Sequence, residues 1–86
     1  MKTRFQIKLQ ARDGSRALVR TVDTAAAPVV GLSVVGRGWS ATVESVALLI
    51  DSGEYRASCK PLEDGDAALV DLMRPFLIDD WRESAS

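Results

Sequence analysis

Residues 39–60, WSATVESVALLIDSGEYRASCK, hold the densest apolar run of the chain, and their reading decides the fold. Two readings compete. Val43, Val46, Ala47 and Ile50 fit helical spacing, with Gly53 as a C-cap. Against this, Thr42, Val43, Val46 and Ile50 are β-branched, and no capping box follows Ser40. Asp51, Ser52 and Gly53 form a turn signal, after which Tyr55, Ala57 and Cys59 alternate with polar residues. We read the stretch as a β-hairpin with strands over about 39–50 and 54–60. A three-residue loop sets Leu49 against Tyr55, Ala47 against Ala57 and Ser45 against Cys59. Trp39, Ala41 and Val43 share that face. Val46, Leu48 and Ile50 fall on the other face and need a cover.

Working back toward the N-terminus, Gly36-Arg37-Gly38 is a turn, and Val29 to Val35 is an apolar, β-branched strand interrupted by Gly31 and Ser33. Thr24 to Pro28 is a connection, because proline disfavours helix at the residue before it. The most regular strand is Arg4 to Arg12. Phe5, Ile7, Leu9 and Ala11 alternate with Arg4, Gln6, Lys8, Gln10 and Arg12, so one face is apolar and the other basic. Asp13-Gly14 then signals a second hairpin, with its return strand over 15–23. We expect a three-residue loop, Arg12 to Gly14, with Leu9 facing Ala17, Ile7 facing Val19 and Phe5 facing Thr21. A two-residue loop would set Arg16 and Arg20 against apolar residues, and a one-residue slip moves every side chain to the other face.

Toward the C-terminus, Pro61 and Leu62 lead to a helix over about 65–82. Asp64 or Asp66 can cap it. Leu69, Leu72, Met73, Phe76, Leu77 and Trp81 form one apolar stripe. Pro75 removes a backbone donor in the middle, which predicts a kink. Asp79, Asp80 and Glu83 oppose the helix dipole at the far end, so that end is frayed or held by packing or by a partner. The expected fold is therefore one α+β domain over 1–86. It is a five-stranded, mostly antiparallel meander curled toward a barrel, with one C-terminal, Pro-kinked helix packed on it.

Composition narrows the function. The chain has 86 residues, no histidine and one cysteine. His-based triads, His proton shuttles and nearly all zinc sites are excluded, and so is an internal disulfide. Cys59 alternates with polar neighbours and reads as a small core residue. Glu63, Asp64 and Asp66 lack EF-hand spacing, and adjacent Asp79 and Asp80 would point about 100° apart on a helix. No glycine-rich phosphate loop is present, since Gly31, Gly36 and Gly38 are not followed by Lys-Ser/Thr. No enzyme activity, cofactor or metal is expected. The N-terminus has no continuous apolar segment of the signal-peptide kind. The longest charge-free run, Thr24 to Gly36, is 13 residues, short of the ~18 needed to span a bilayer. These readings point to a cytoplasmic protein of the small kind found in bacterial and mobile-element genomes.

Charge is uneven. Net charge is −1, but residues 1–50 carry seven Lys/Arg against three acids, and residues 51–86 four against nine. Arg4, Lys8, Arg12, Arg16 and Arg20 recur every four residues, and the expected register puts them on one outer face that could track phosphates. No aromatic residue lies on that face to stack on bases. Arg12 with Arg16, and equally Arg16 with Arg20, have the spacing of the paired arginines in PilZ cyclic-dinucleotide receptors. Ser33 and Gly36 resemble part of that family's later serine–glycine motif. The likeness spans 25 residues; Gly31 stands where the family has Asp or Asn, and the gap is too short for the intervening strand. No membership is drawn from it.

The leading expectation is a non-catalytic protein-binding module of regulatory, adaptor or inhibitor type. Its interface would use Trp39, Val46, Leu48, Ile50, Tyr55 and Trp81, since tryptophan and tyrosine anchor interfaces. Self-association as a two-fold dimer follows from the surplus apolar surface. Nucleic-acid binding through the basic hairpin is the alternative. A sensor of small anionic ligands is a weaker one, requiring a concavity of several hundred Å³ beside the arginines, within the usual range of about 300–1,000 Å³.

Overall fold

The computed structural model describes residues 1–84. In chain order the elements are β1 (Lys2–Ala11), β2 (Gly14–Asp23), β3 (Ser33–Val35), β4 (Ser40–Leu49), β5 (Glu54–Cys59), β6 (Leu62–Asp64), α1 (Leu69–Ile78) and β7 (Arg82–Glu83). The architecture is α+β: one mixed seven-stranded sheet, ordered β3-β4-β5-β1-β2-β7 with β6 also beside β1, and one helix near the C-terminus. The β-branched residues of the central stretch settle it as strand. No helix among the described residues is long and apolar enough to cross a membrane.

Five strands were expected, and all five form. The strand expected over 29–35 shortens to Ser33–Val35, while β6 and β7 are additional. The order is also not that of a meander. β1 lies in the middle, antiparallel to β2 and parallel to both β5 and β6. β5 runs beside Thr3 to Gln6, and β6 beside Leu9 to Ala11. Lys60 and Pro61 interrupt the line between them, as a residue without a ladder donor does. The alternation of β1 then has a full purpose: Phe5, Ile7 and Leu9 are all buried.

The first hairpin closes at Ala11 and Gly14, a two-residue loop of Arg12 and Asp13, so the expected three-residue register is corrected. Leu18 lies opposite Ile7, Arg16 opposite Leu9 and Arg20 opposite Phe5. This register buries Leu18 opposite Ile7, where the alternative would have set the smaller Val19. It places two arginines on the core face, and acids from the end of the chain receive them. Arg20 Nη1 lies 3.4 Å from Asp79 Oδ1, and Arg16 Nε lies 3.2 Å from Glu83 Oε1. The stems lie along apolar surface while the heads reach the rim.

The second hairpin corrects another expectation. Leu49 pairs with Glu54 across a four-residue loop, and Glu44 is an extra residue between Val43, paired with Cys59, and Ser45, paired with Ser58. This β-bulge shifts the alternation by one. Ala41 and Val43 before it, and Val46 and Leu48 after it, therefore lie on the same core face. Val46 pairs with Ala57 and Leu48 with Tyr55. A strand that reads as apolar on both sides is a one-sided strand with a bulge.

The helix is shorter than expected and runs through Pro75 as one element. Neither Asp64 nor Asp66 caps it. Asp64 Oδ1 accepts from the Asp66 amide, and the N-cap position is Ala68. The capping acceptor comes from the first hairpin turn: Asp13 Oδ1 accepts from the Leu69 amide at 2.8 Å, and the Ala67 carbonyl accepts from Arg12 N. α1 is thereby tied to the β1–β2 turn and packs on those two strands through Leu69, Leu72, Met73 and Phe76. Leu77, expected in the buried stripe, is exposed together with Val70 and Ile78.

Candidate functional site

The C-terminus of α1 organises one end of the molecule. Asp80 takes a left-handed conformation at φ 65°, and the Trp81 amide donates back to the Phe76 carbonyl at 3.1 Å. This six-to-one closure is a Schellman motif, and its usual apolar contact is present as the perpendicular Phe76–Trp81 pair. The chain therefore reverses into the core, where Trp81 is 2% exposed. Trp39 stacks on Phe76 at 5.4 Å and meets Trp81 edge-on at 5.2 Å. Trp39 and Trp81, both expected at an interface, are instead the closed end of the core.

Asp79 fastens this end from outside. Its Oδ2 accepts from Trp39 Nε1 at 2.8 Å and from the Arg37 amide at 3.2 Å. The indole hydrogen bond is the main reason its carboxyl is held below the usual aspartate range; the Arg37 amide and the charges of Arg20 and Arg37 act in the same direction, against a partial desolvation. The turn that presents Trp39 depends on Gly36, where a Cβ would lie 2.2 Å from the indole ring. The sequence holds a hint of this cluster in two tryptophans and Asp79. Their convergence spans some forty residues and has no local signal.

Cys59 is buried on the core face. Burial, with Glu44 nearby, pushes its thiol up to about 11. A thiol so protonated at neutral pH is a poor nucleophile and serves as packing. Among the described residues, no three His, Cys, Asp or Glu side chains converge to hold a metal ion.

The five basic residues expected to form a stripe are divided. Arg4 and Lys8 lie on the outer face of β1, opposite Thr21 and Ala17. Arg12 is in the turn, and Arg16 and Arg20 are on the core face, paired with Glu83 and Asp79. The geometric basis for phosphate tracking is not assembled.

Concavities surround the closed end. One, about 600 Å³, lies between α1 and the Gly36–Ser40 segment, with Asp71 as its charged residue. A second, about 390 Å³, lies between β2 and β3, with Arg20 in its wall and Phe5, Trp39 and Trp81 deeper. A third, about 370 Å³, opens beside Arg20, Asp80 and Arg82.

The tip of the β4–β5 hairpin is bare. The strands α1 packs against are mainly β1 and β2. Leu48 is 49% exposed and Ile50 84% exposed, with Val46 and Tyr55 only partly covered. Beyond Val43, which exchanges hydrogen bonds with Gly31 and Leu32, the outer edge of β4 pairs with no strand among the described residues. Of the six residues expected at an interface, Val46, Leu48, Ile50 and Tyr55 gather here. No family model matches the chain, and neither does any curated protein or solved structure.

Proposed function

We propose that this chain is a non-catalytic protein-binding module that docks through the β4–β5 hairpin, with a second copy of itself as the occupant. One observation carries the reading: the apolar face of the β4–β5 hairpin remains exposed at Leu48 and Ile50, with Val46 and Tyr55 beside them only partly covered. An open strand edge runs along the same segment, so a partner strand gains main-chain hydrogen bonds as well as apolar contact. A two-fold arrangement satisfies both edges at once, because an antiparallel pair of identical strands is self-complementary.

Sedimentation velocity tests this directly. The wild-type chain is expected at about twice its 9.3 kDa mass, moving toward monomer on dilution. Leu48→Glu combined with Ile50→Glu is expected to give monomer with an unchanged circular dichroism spectrum. A wild-type chain that sediments only at 9.3 kDa at every concentration removes the second copy as occupant. A dimer that survives both substitutions removes the hairpin.

A further inference from the structure

We propose that the cleft between β2 and β3 binds a small amphipathic carboxylate, its acid group on Arg20 and its apolar body against Phe5, Val22, Val34 and Trp39. The cleft's volume of about 390 Å³ lies in the range of small-molecule sites. Its lining residues are apolar apart from Arg20, the Thr24 and Ser33 hydroxyls and the indole N–H groups of Trp39, which donates to Asp79, and Trp81, which has no partner among the described residues. The Thr24 hydroxyl is already engaged by Thr3 Oγ1 and the Met1 carbonyl. Arg20 is thus the charged group that faces a ligand here.

The guanidinium has capacity to spare. Its contact to Asp79 Oδ1 is long, at 3.4 Å, while Oδ2 of that carboxylate is occupied by Trp39 Nε1 and the Arg37 amide. Guanidinium offers five N–H donors in a fixed fork that matches a carboxylate. The Arg20 side chain keeps 30% of its surface exposed, so a ligand reaches it without breaking the core. The larger cleft beside α1 selects against the same ligand. Its charged residue is Asp71, an acid that is itself paired with Arg74.

Both tryptophans of the chain line the β2–β3 cleft, so intrinsic fluorescence reports its occupancy. The full chain is titrated with octanoate and, in parallel, with 1-octanol, which has the same tail and no charge. Octanoate is expected to give a saturable change, with amide shifts in a heteronuclear NMR spectrum centred on Phe5, Val22, Val34 and Trp39. Octanol, and octanoate with Arg20→Gln, are expected to bind about ten-fold or more weakly, the loss expected for one charge-assisted hydrogen bond. Arg20→Lys, which keeps the charge and loses the fork, is expected to bind at an affinity between those of wild type and Arg20→Gln, and Leu48→Glu at the wild-type affinity, which separates this site from the hairpin. Equal binding of octanol and octanoate overturns the proposal, as does undiminished binding by a folded Arg20→Gln protein. Shifts centred on the α1 groove or the hairpin, or no saturable change, overturn it equally. Should Arg20→Gln fail to fold, the acid–alcohol comparison on the wild type and on Arg20→Lys decides.

Discussion

Two apolar groups of this molecule end in opposite states. In one, Trp39, Phe76 and Trp81 close on one another beneath the end of α1. In the other, on the core face of the β4–β5 hairpin, Leu48 and Ile50 stand exposed and Val46 and Tyr55 are only partly covered. The difference is a matter of reach. A ten-residue helix spans about 15 Å, and Asp13 fixes its start at the first hairpin turn. From there it covers Ile7, Leu9 and Leu18 and stops at the aromatic cluster. Apolar composition therefore does not separate covered from exposed positions in this chain. The position of the one covering element does.

The largest test of that contrast is a pair of truncations. Phe76→Ala is expected to cost about 3–5 kcal/mol, since it removes a fully buried ring from between two tryptophans. Leu48→Ala is expected to fall within about 0.5 kcal/mol for the monomer, as exposed substitutions do. Urea denaturation at low protein concentration measures both. Comparable losses would mean that the hairpin is as much core as the aromatic end.

Gly36→Ala comes next. The added methyl would enter the Trp39 ring at 2.2 Å and force the indole off Phe76 and Asp79. Overpacking of this kind costs about 1–3 kcal/mol. Loss of the near-ultraviolet tryptophan signal should accompany it, and an unchanged spectrum would contradict the packing described.

A smaller effect of opposite sign is expected at Asp80. Its left-handed backbone costs a residue with a Cβ about 1 kcal/mol, and glycine is free of that cost. Asp80→Gly is therefore expected to raise the urea midpoint. A lowered midpoint would show that the Asp80 side chain contributes more than its backbone loses.

The smallest effect is the pH dependence of the latch. The Asp79 carboxyl is held below its unfolded value, so its contribution is complete above the ordinary aspartate range, which centres at about 3.9. The contribution is lost as pH falls through the folded value. Wild type and Asp79→Asn are expected to differ most near neutrality and to converge in acid. Parallel curves down to the lowest pH at which the protein stays folded would remove Asp79 as the titrating fastener.

Much of the fold was legible in the residues. The period-two alternation of 4–12, the β-branched residues of 40–49 and the stripe from Leu69 to Phe76 each name their element, because side-chain direction repeats every two residues on a strand and every 3.6 on a helix. The candidate surfaces were legible only in part. Val46, Leu48 and Ile50 stood out because a second apolar face needs an explanation. Trp39 and Trp81 read as interface residues because nothing local shows that Phe76 meets both. The basic stripe followed from spacing, and the true register divides it.

What the sequence determined alone is the type of each main element, since this follows from interactions within a few residues. Tertiary structure decided the rest. It set the two-residue turn that buries Leu18, because Asp79 and Glu83, some sixty residues away, are there to receive Arg20 and Arg16. It set the bulge at Glu44, which keeps Val43 and Val46 on one face against β5. It brought β5 beside β1, and it brought Asp13 to the start of a helix whose own leading acids do not cap it. Each of these joins groups far apart in the chain. Their energies arise only when the ends of long loops have met, so no window of the sequence contains them.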